Sequence, residues 1–300
     1  MMVAEQTGLM GEVRYNEPLS SHTTWRVGGP ARCFYRPADG ADLIRFLQQL
    51  PADEPLLWLG MGSNLLVRDG GFDGTVLALQ GCLNEISLES KGLLRVEAGV
   101  SCPRVARSAA QEGLCGVEFL AGIPGTMGGA LAMNAGAFGS ETWQLVEKVE
   151  TLDRHGRLRE RDPKDFRIGY RQVEGPEGEW FFAAWLCLQP GDTEQAREEM
   201  RQLLERRAAS QPIGRPSCGS VFQNPEGDHA ARLIEAAGLK GRCIGGACVS
   251  EKHANFIINT GDARAADIEQ LIGLVQSEVE AASKIRLQTE VRIVGEEAVS

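Results

Sequence analysis

The sequence lacks most of the features that mark membrane, metal-binding or nucleic-acid-binding proteins. No stretch of its 300 residues approaches the ~18 to 20 apolar residues that a membrane-spanning helix needs. Only four histidines occur, and none lies at metal-ligand spacing from a cysteine pair, so no metal is expected. The net charge of −10 disfavours nucleic acid and anionic membrane surfaces as partners, because both attract a basic footprint.

The eight cysteines are scattered along the chain, and no Cys-x-x-Cys sequence occurs among them. In a chain of this length that pattern predicts reduced thiols rather than a disulfide framework. Residues 1–17 lack a basic region followed by an apolar run, so they do not resemble a secretory signal. These absences together predict a cytoplasmic protein.

Length and composition are those of an ordinary globular chain. The length is about twice the common domain size, which predicts two domains. Hydrophobic residues make up 43% and charged residues 24%, which argues against disorder. Strand patterns dominate up to about residue 190 and helical patterns dominate the remainder, with a turn at Gln189–Asp192. This distribution predicts an α+β fold with a boundary near residue 190.

Caps and periodicity place the individual elements. Helices are predicted after Asp39, after Ser101, after Asp192 and from about Asp262, each with apolar residues on one face. Strands are predicted at residues 56–59, 65–67, 75–79, 93–96, 181–188, 256–259 and 285–294. The last of these alternates apolar and polar residues throughout, which favours one long strand with one buried face.

Glycine is the residue type in clear excess. The chain has 36 glycines, or 12%, whereas about 7% is typical. Five of them lie in residues 60–74 and eight in residues 113–139. The excess is therefore concentrated in two loops, which are the first indication of function.

The first glycine loop follows a predicted strand and begins Gly60-Met61-Gly62-Ser63-Asn64. A dinucleotide-binding fingerprint would place its third glycine at Leu65 and a helix afterwards, and neither is present, so a Rossmann motif is excluded. Two interpretations stay open for this segment. Its backbone N–H groups bind an anion, with polar contacts from Ser63 and Asn64, or it is only a hairpin turn.

The second glycine loop is a run of small residues from Ala121 to Gly139. Pro124 blocks a helix through its start, and the small side chains let the backbone approach a ligand closely. Few of these side chains can fill a core, so a purely structural role explains the segment poorly. The ligand that fits two such loops is long, flat and phosphate-bearing, as a dinucleotide is.

Further motifs accompany these loops in a fixed order. They are His22–Ala31, Gly62–Leu66, Ala121–Gly125, Asn134–Gly136, Gly169–Arg171, Ser217–Pro225, Ser250–Phe256 and Glu290–Arg292. Each is weak alone, but the combination, from about Tyr15 to Glu296, resembles the UDP-N-acetylenolpyruvoylglucosamine reductase family. The resemblance implies an α+β chain with a two-part FAD-binding domain of the vanillyl-alcohol-oxidase type in residues 1–190, split near residue 80. It implies a substrate-binding domain in residues 191–300.

The resemblance also implies a reaction. NADPH reduces a non-covalently bound FAD, and the reduced flavin then delivers hydride to C3 of the enolpyruvyl ether of UDP-N-acetylglucosamine. Protonation at C2 gives UDP-N-acetylmuramate, a precursor of bacterial peptidoglycan. The expected partners are NADPH and the enolpyruvyl sugar nucleotide, with no nucleic acid and no membrane insertion, and the expected state is a monomer.

The same resemblance assigns roles to individual residues. Ser220 would donate the proton to C2, Arg171 would hold the substrate carboxylate with its planar guanidinium, and Glu290 would assist the enolate. The implied cofactor-binding residues are Gly60, Gly62, Ser63, Asn64, Leu65, Gly122, Ile123, Pro124, Gly125, Gly128, Gly129, Asn134 and Gly136. The implied substrate-binding residues are Asn224, Tyr170, Lys252 and Arg215, and further candidates for the phosphates are Arg206, Arg207 and His253.

Without the resemblance, each catalytic residue has a plainer interpretation. Ser220 would be a turn serine, Arg171 an exposed arginine at a strand end, and Glu290 half of a cross-strand ion pair. No tyrosine lies between Gln172 and Arg215, so the chain resembles the shorter subtype, which lacks an inserted tyrosine segment over the substrate.

Two alternative functions stay open. An FAD-dependent oxidase or dehydrogenase of small alcohols or hydroxy acids would explain the first 190 residues, but not the Ser220 loop with Glu290. A nucleotide-binding module without activity is the other.

Overall fold

The computed structural model describes residues 8–90 and 92–298. The chain forms two compact units, each assembled from separate stretches of sequence. The first unit comprises the stretch ending at Arg14, then Phe34–Gly60 and Thr75–Glu205. The second comprises Tyr15–Cys33, Met61–Gly74 and the stretch from Arg206 onward. The expected assignment of FAD and substrate to residues 1–190 and 191–300, with a split near residue 80, stays a prediction.

The described residues form six α-helices and twenty short strands. The helices are α1 Gly40–Gln49, α2 Cys102–Gln111, α3 Met127–Ala132, α4 Thr193–Ser210, α5 Ala230–Ala236 and α6 Ala265–Ser283. The strands are β1 Glu12–Pro18, β2 Pro30–Arg36, β3 Leu56–Leu59, β4 Leu65–Val67, β5 Phe72–Ala78, β6 Ile86–Ser90, β7 Leu93–Glu97, β8 Leu114–Cys115, β9 Gly136–Ala137, β10 Ser140–Glu141, β11 Val146–Asp153, β12 Leu158–Arg161, β13 Arg167–Gly169, β14 Gln172–Glu174, β15 Glu179–Cys187, β16 Gln189–Pro190, β17 Cys243–Ile244, β18 Ala247–Val249, β19 Ile257–Asn259 and β20 Arg292–Val294. This mixture confirms the α+β prediction.

The first unit is built on an antiparallel sheet of order β12-β11-β15-β7-β6. In its centre Ala184 of β15 pairs with Val149 of β11 and with Val96 of β7. One apolar core joins this sheet to α2 and α3, and a second core contains the buried face of α1. Helix α1 starts where the sequence predicts, because the Asp39 carboxylate accepts a hydrogen bond from the Asp42 N–H at 2.7 Å.

The second unit packs α6 against its own small sheet. The strands β17, β18 and β19 form an antiparallel sheet in that order, while β4 and β20 pair in parallel. Helix α6 buries one apolar face in the core of the unit. Its first turn is capped by Asp69, whose carboxylate oxygens accept the N–H groups of Ala265 and Ala266, both at 2.9 Å. Of the helices described, none is both long and apolar enough to cross a bilayer.

The long final strand predicted over residues 285–294 is wrong. Only Arg292–Val294 forms a strand, and Lys284 adopts a left-handed conformation with a φ of 65° at the end of α6. Residues 285–291 keep their alternation of burial, but their backbone bonds with an irregular segment around Val221 rather than with a strand. The alternation of apolar and polar residues predicted the buried face correctly. It could not show whether a neighbouring strand is present, and a strand forms only where such a neighbour pairs with it.

The structure also excludes one interpretation that was left open and corrects one expectation. The segment 56–67 is not a hairpin, because β3 pairs in parallel with β5 and β4 pairs in parallel with β20. The prediction that all cysteines are reduced is wrong for Cys243 and Cys248, which form a disulfide in the structure. These two residues face each other across the β17–β18 hairpin. Their separation of five residues in sequence matches no disulfide motif, so the sequence did not indicate that they are neighbours.

Candidate active site

The first glycine loop joins β3 to β4, and its glycines allow close backbone contacts. A Cβ at Gly60 would lie 2.5 Å from the Thr126 hydroxyl within the first unit. Within the second unit Gly62 has a φ of 61°, and a Cβ there would lie 2.2 Å from the carbonyl oxygen of His22. Larger residues at either position would force these neighbours apart.

The backbone of this loop offers a row of hydrogen-bond donors. Among the described residues, the N–H groups of Met61, Gly62, Ser63 and Asn64 donate no hydrogen bond to the protein. Successive unbonded N–H groups at a turn that contains a positive φ form the concave arrangement that binds anions. The loop therefore has the chemistry that a diphosphate requires.

The second glycine loop leads into α3. Thr126 caps this helix by accepting the Gly129 N–H at 3.5 Å, and the Gly128 N–H is bonded to the Ala98 carbonyl at 2.8 Å. A Cβ at Gly128 would lie 3.0 Å from the Ala98 side chain, so this glycine serves packing. Gly129 is exposed, and a Cβ there would have no protein atom nearer than 3.8 Å, so its bare backbone is open to a ligand.

Arg171 lies in the tight turn between β13 and β14, with a φ of 56°. Its guanidinium donates to the carbonyls of Asn134 at 3.3 Å and Gly136 at 2.8 Å, and lies 5.2 Å from the Tyr170 ring centroid. Tyr170 itself is 46% exposed. The turn therefore presents a cation and an exposed aromatic ring side by side.

Asn134 ties this turn to the neighbouring hairpin. Its side chain is 2% exposed, and its Nδ2 donates to the Glu141 carboxylate at 2.9 Å and the Gly169 carbonyl at 3.1 Å. Its Oδ1 accepts the Trp143 N–H at 3.2 Å. Because the amide is occupied within the protein, Asn134 holds the Arg171 turn, and its expected contact with the cofactor stays a prediction.

Ser220 lies half-buried in an irregular segment of the second unit. Gly219 before it has a φ of 79°, and Val221 and Phe222 after it are each 1% exposed. The Val221 carbonyl accepts the Glu290 N–H at 2.8 Å. The backbone next to Ser220 is therefore bonded directly to the backbone of Glu290.

Glu290 is half-buried, and its backbone is fixed on both sides. The Asn64 side chain donates its Nδ2 to the Glu290 carbonyl at 3.1 Å, while the Asn64 carbonyl accepts the Arg292 N–H at 3.1 Å. Burial raises the pKa of the Cys218 thiol well above its ordinary value, and the nearby Glu290 charge raises it further. Glu290 and the residues around Ser220 thus share one buried neighbourhood in this unit.

The expected phosphate-binding side chains differ in how they are held. Asn224 is exposed, with its Oδ1 accepting the Ala230 N–H at 3.1 Å at the start of α5. Lys252 and Arg215 are exposed, and the Lys252 ammonium donates to the Ala208 carbonyl. Burial lowers the pKa of the His253 imidazole below its ordinary value, so His253 is neutral at pH 7 and supplies no charge to a phosphate.

Asn255 is a candidate functional residue that the sequence did not single out, although it lies inside the Ser250–Phe256 motif. It is 3% exposed, and its side chain and backbone bind the residues that follow Ser220. Its place inside that motif was the only signal for it in the sequence, because burial is known only from the structure. No cluster of three or more His, Cys, Asp or Glu side chains suited to a metal ion occurs in the described parts of the chain.

Two family profiles match this chain. An FAD binding domain matches residues 31–161, and the C-terminal domain of UDP-N-acetylenolpyruvoylglucosamine reductase matches residues 211–294. The second profile spans Ser220, Asn255 and Glu290.

Individual proteins are similar over nearly the whole length. UDP-N-acetylenolpyruvoylglucosamine reductase of Alkalilimnicola ehrlichii is 60% identical over 296 residues, which is 99% of each chain. That of Methylococcus capsulatus is 58% identical over 94% of this chain and 92% of its own. The crystal structure of the reductase from Thermus caldophilus superposes with a TM-score of 0.81 at 33% identity, over 95% of this chain and 99% of the other.

Proposed function

The chain belongs to the UDP-N-acetylenolpyruvoylglucosamine reductase family, and we propose that Ser220, Arg171 and Glu290 carry the proton-transfer half of its reaction. The enzyme is an FAD- and NADPH-dependent oxidoreductase of peptidoglycan precursor synthesis. An oxidase of small alcohols is not favoured, because the match extends through residues 211–294, outside the FAD-binding domain.

FAD fits the glycine loops through their backbone. When bound, it supplies the two-electron chemistry, taking hydride from NADPH and giving it to C3 of the enolpyruvyl group. In the second unit, the row of N–H donors at residues 61–64 would hold its diphosphate. In the first unit, the backbone at Gly129 is open to a ligand. We keep the other cofactor-binding residues expected from the sequence as part of this proposal.

Ser220 donates the proton to C2 of the substrate. A serine hydroxyl is a weak acid, but a carbanion next to a carboxylate is basic enough to take its proton. The observation that carries this role is the 2.8 Å bond between the Glu290 N–H and the Val221 carbonyl, which fixes the backbone of the acid relative to Glu290. Glu290 would assist the enolate from the same neighbourhood by donating a hydrogen bond, which requires its carboxyl to be protonated at that step, because a carboxylate would repel the charge.

Arg171 binds the substrate carboxylate and stabilises the negative charge that develops on it. The planar guanidinium suits a carboxylate, because two N–H groups can donate in parallel. Its contacts with the Asn134 and Gly136 carbonyls orient the side chain before substrate arrives. This orientation lowers the cost of binding, since less side-chain freedom is lost.

The nucleotide part of the substrate is assigned to Asn224, Tyr170, Lys252 and Arg215, all of them exposed. Lys252 and Arg215 would supply the positive charge that the diphosphate needs on this acidic protein. We assign the reaction to the cytoplasm and to a monomeric chain.

The test separates the two half-reactions. Flavin reduction by NADPH and flavin reoxidation by the enolpyruvyl substrate are each measured by stopped-flow absorbance in wild type, Ser220→Ala and Ser210→Ala. In Ser220→Ala, NADPH should reduce the flavin at the wild-type rate. Reoxidation by the substrate should be about 10³-fold slower, a typical contribution of a general acid. Ser210, exposed at the end of α4, is the control and should change neither rate. Equal loss of both half-reactions in Ser220→Ala would show that Ser220 is structural.

A further inference from the structure

The segment that follows Ser220 is buried but belongs to no strand. Val221 and Phe222 are each 1% exposed, and buried backbone groups need partners. The side chain of Asn255 alone provides hydrogen-bond partners for both backbone polar groups of Phe222. The Asn255 Oδ1 accepts the Phe222 N–H at 2.9 Å, and the Asn255 Nδ2 donates to the Phe222 carbonyl at 2.8 Å.

Backbone hydrogen bonds fix the neighbouring residue, Val221, as well. The Asn255 carbonyl accepts the Val221 N–H at 2.9 Å, while the Val221 carbonyl accepts the Glu290 N–H at 2.8 Å. Ser220 is therefore followed by a peptide fixed on one edge by Asn255 and on the other by Glu290. Gly219, which precedes it, has a φ of 79° and no atom within 4 Å of a would-be Cβ. The hydrogen bonds that fix the backbone next to Ser220 thus lie on its C-terminal side.

Asn255 is itself rigidly placed. It lies in the loop between β18 and β19, which is closed where the Ser250 N–H donates to the Phe256 carbonyl at 2.8 Å. The Ser250 hydroxyl accepts the Lys252 N–H at 3.2 Å and the His253 N–H at 3.4 Å. An amide is the side chain that offers a donor and an acceptor at the spacing of a peptide. Aspartate in its place would turn a carboxylate oxygen toward the Phe222 carbonyl.

We propose that Asn255 is a positioning residue for proton transfer, which aims the Ser220 hydroxyl by fixing the Val221–Phe222 backbone against Glu290. The inference rests on the proposed role of Ser220 as the proton donor. Asn255 acts through the backbone of Val221 and Phe222. Its loss should therefore slow the step in which Ser220 gives its proton and leave flavin reduction unchanged.

The first test is Asn255→Asp in the flavin-loaded enzyme, with Asn259→Asp as the matched control. Asn259 is a second buried asparagine of the same unit, and its Nδ2 binds the Trp25 carbonyl at 2.9 Å instead. Asn255→Asp should slow reoxidation by the substrate about 10- to 100-fold, the cost of a small misplacement of a reacting group. Relative to wild type this loss should shrink as pH is lowered, because a protonated aspartate regains a donor. Similar losses in Asn259→Asp would overturn the proposal.

A double-mutant cycle distinguishes positioning from general damage. If Asn255 acts through Ser220, adding Asn255→Asp to Ser220→Ala should cost less than threefold more, because the group being positioned is gone. Losses that multiply would overturn the positioning role while leaving Ser220 as the acid. No effect of Ser220→Ala alone would overturn the proposed acid, and the inference about Asn255 with it.

A measurement on the wild-type protein covers the case in which Asn255→Asp fails to fold. Amide hydrogen exchange should show the N–H groups of Val221 and Phe222 protected as strongly as those of β18 and β19, since both are bonded to Asn255. The residues of the exposed turn around Gly214 in the same unit serve as the fast-exchanging reference. Exchange of Val221 and Phe222 at the rate of that turn would contradict the proposal.

Discussion

Two buried asparagines, one in each unit, hold the residues proposed for catalysis in different ways. In the second unit Asn255 binds both sides of Phe222, and the Glu290 N–H binds the opposite edge of the segment. In the first unit Asn134 binds the Gly169 carbonyl, and the guanidinium of Arg171 completes the arrangement by donating to the Asn134 carbonyl.

The difference matches the tasks that we propose for Ser220 and Arg171. A proton donor must be placed to a fraction of an ångström, so the backbone next to Ser220 is fixed from two edges. A carboxylate-binding arginine acts over the reach of a long side chain, so its turn is fixed on one side. The first arrangement predicts losses in the rate of reoxidation, whereas the second predicts losses in substrate binding.

The largest effect after Ser220→Ala is expected for Arg171→Lys. Lysine keeps the charge but has only three donors and no planar fork, so it cannot hold the Asn134 and Gly136 carbonyls and also donate two parallel hydrogen bonds to a carboxylate. We expect the kcat/KM for the enolpyruvyl substrate to fall about 10²-fold, as the loss of a charge-assisted bidentate contact predicts. Steady-state kinetics test this, with Arg167→Lys on the same hairpin as the exposed control. A loss no greater than that of Arg167→Lys would remove Arg171 from the site.

Asn134→Asp breaks the first-unit arrangement directly. A carboxylate at this position would face the Glu141 carboxylate and the Gly169 carbonyl, which the Asn134 Nδ2 now binds. We expect the KM for the substrate to rise about tenfold with a smaller change in kcat, the effect of a turn that is displaced but still present. A fall in kcat without a rise in KM would show that Asn134, like Asn255, affects the reaction rate and not substrate binding.

Asn64→Ala asks whether this side chain binds cofactor or holds Glu290. Its Nδ2 donates to the Glu290 carbonyl, whereas its backbone N–H belongs to the proposed diphosphate site. We therefore expect reoxidation by substrate to slow about fivefold, the value of one neutral hydrogen bond, while FAD affinity changes less than threefold. Asn84→Ala, at an exposed asparagine, is the control. Flavin titration that shows a large loss of FAD affinity would favour the cofactor role expected from the sequence.

The smallest effect is on stability, at the first turn of α6. The Arg264 backbone N–H lowers the pKa of the Asp267 carboxyl, and the Arg264 guanidinium adds to this. A lowered folded pKa gives stability that is present above the ordinary value of 3.8 and is lost as pH falls through the folded pKa. Urea unfolding should show Asp267→Asn about 1 kcal/mol less stable at pH 7, with a smaller difference below pH 4.

The control for that measurement is Glu278→Gln, at an exposed position of the same helix. It should leave the free energy of unfolding unchanged, and neither variant should alter the two half-reactions. A difference between Asp267→Asn and wild type that persists at low pH would show that the contribution of Asp267 to stability does not depend on its charge.

Short sequence patterns predicted the structure correctly where a few neighbouring residues decide it. The cap at Asp39, the bounds of Leu56–Leu59 and Leu65–Val67 and the helix after Asp192 all follow from short patterns. The strand predicted over residues 285–294 failed, because a strand needs a partner as well as alternation. The Cys243–Cys248 pair failed for a related reason, since a hairpin brings together residues that no spacing rule connects.

The candidate site divides in the same way. Motif order was enough to indicate the family, while the roles of Ser220, Arg171 and Glu290 were implied by the resemblance and stay predictions. Nothing in the motifs indicated that the Asn64 amide bonds the Glu290 carbonyl across 226 residues, or that Asn255 bonds Phe222 across 33.

The sequence by itself determined the family of this chain, because the motifs that carry the resemblance are written in consecutive residues, whereas the glycine loops alone indicated only a long, phosphate-bearing ligand. Only the tertiary structure decided how the reacting groups are held. A hydrogen bond between an amide and a distant buried backbone leaves no periodic or compositional trace. It exists only once folding has excluded water and left each of those groups with no other partner.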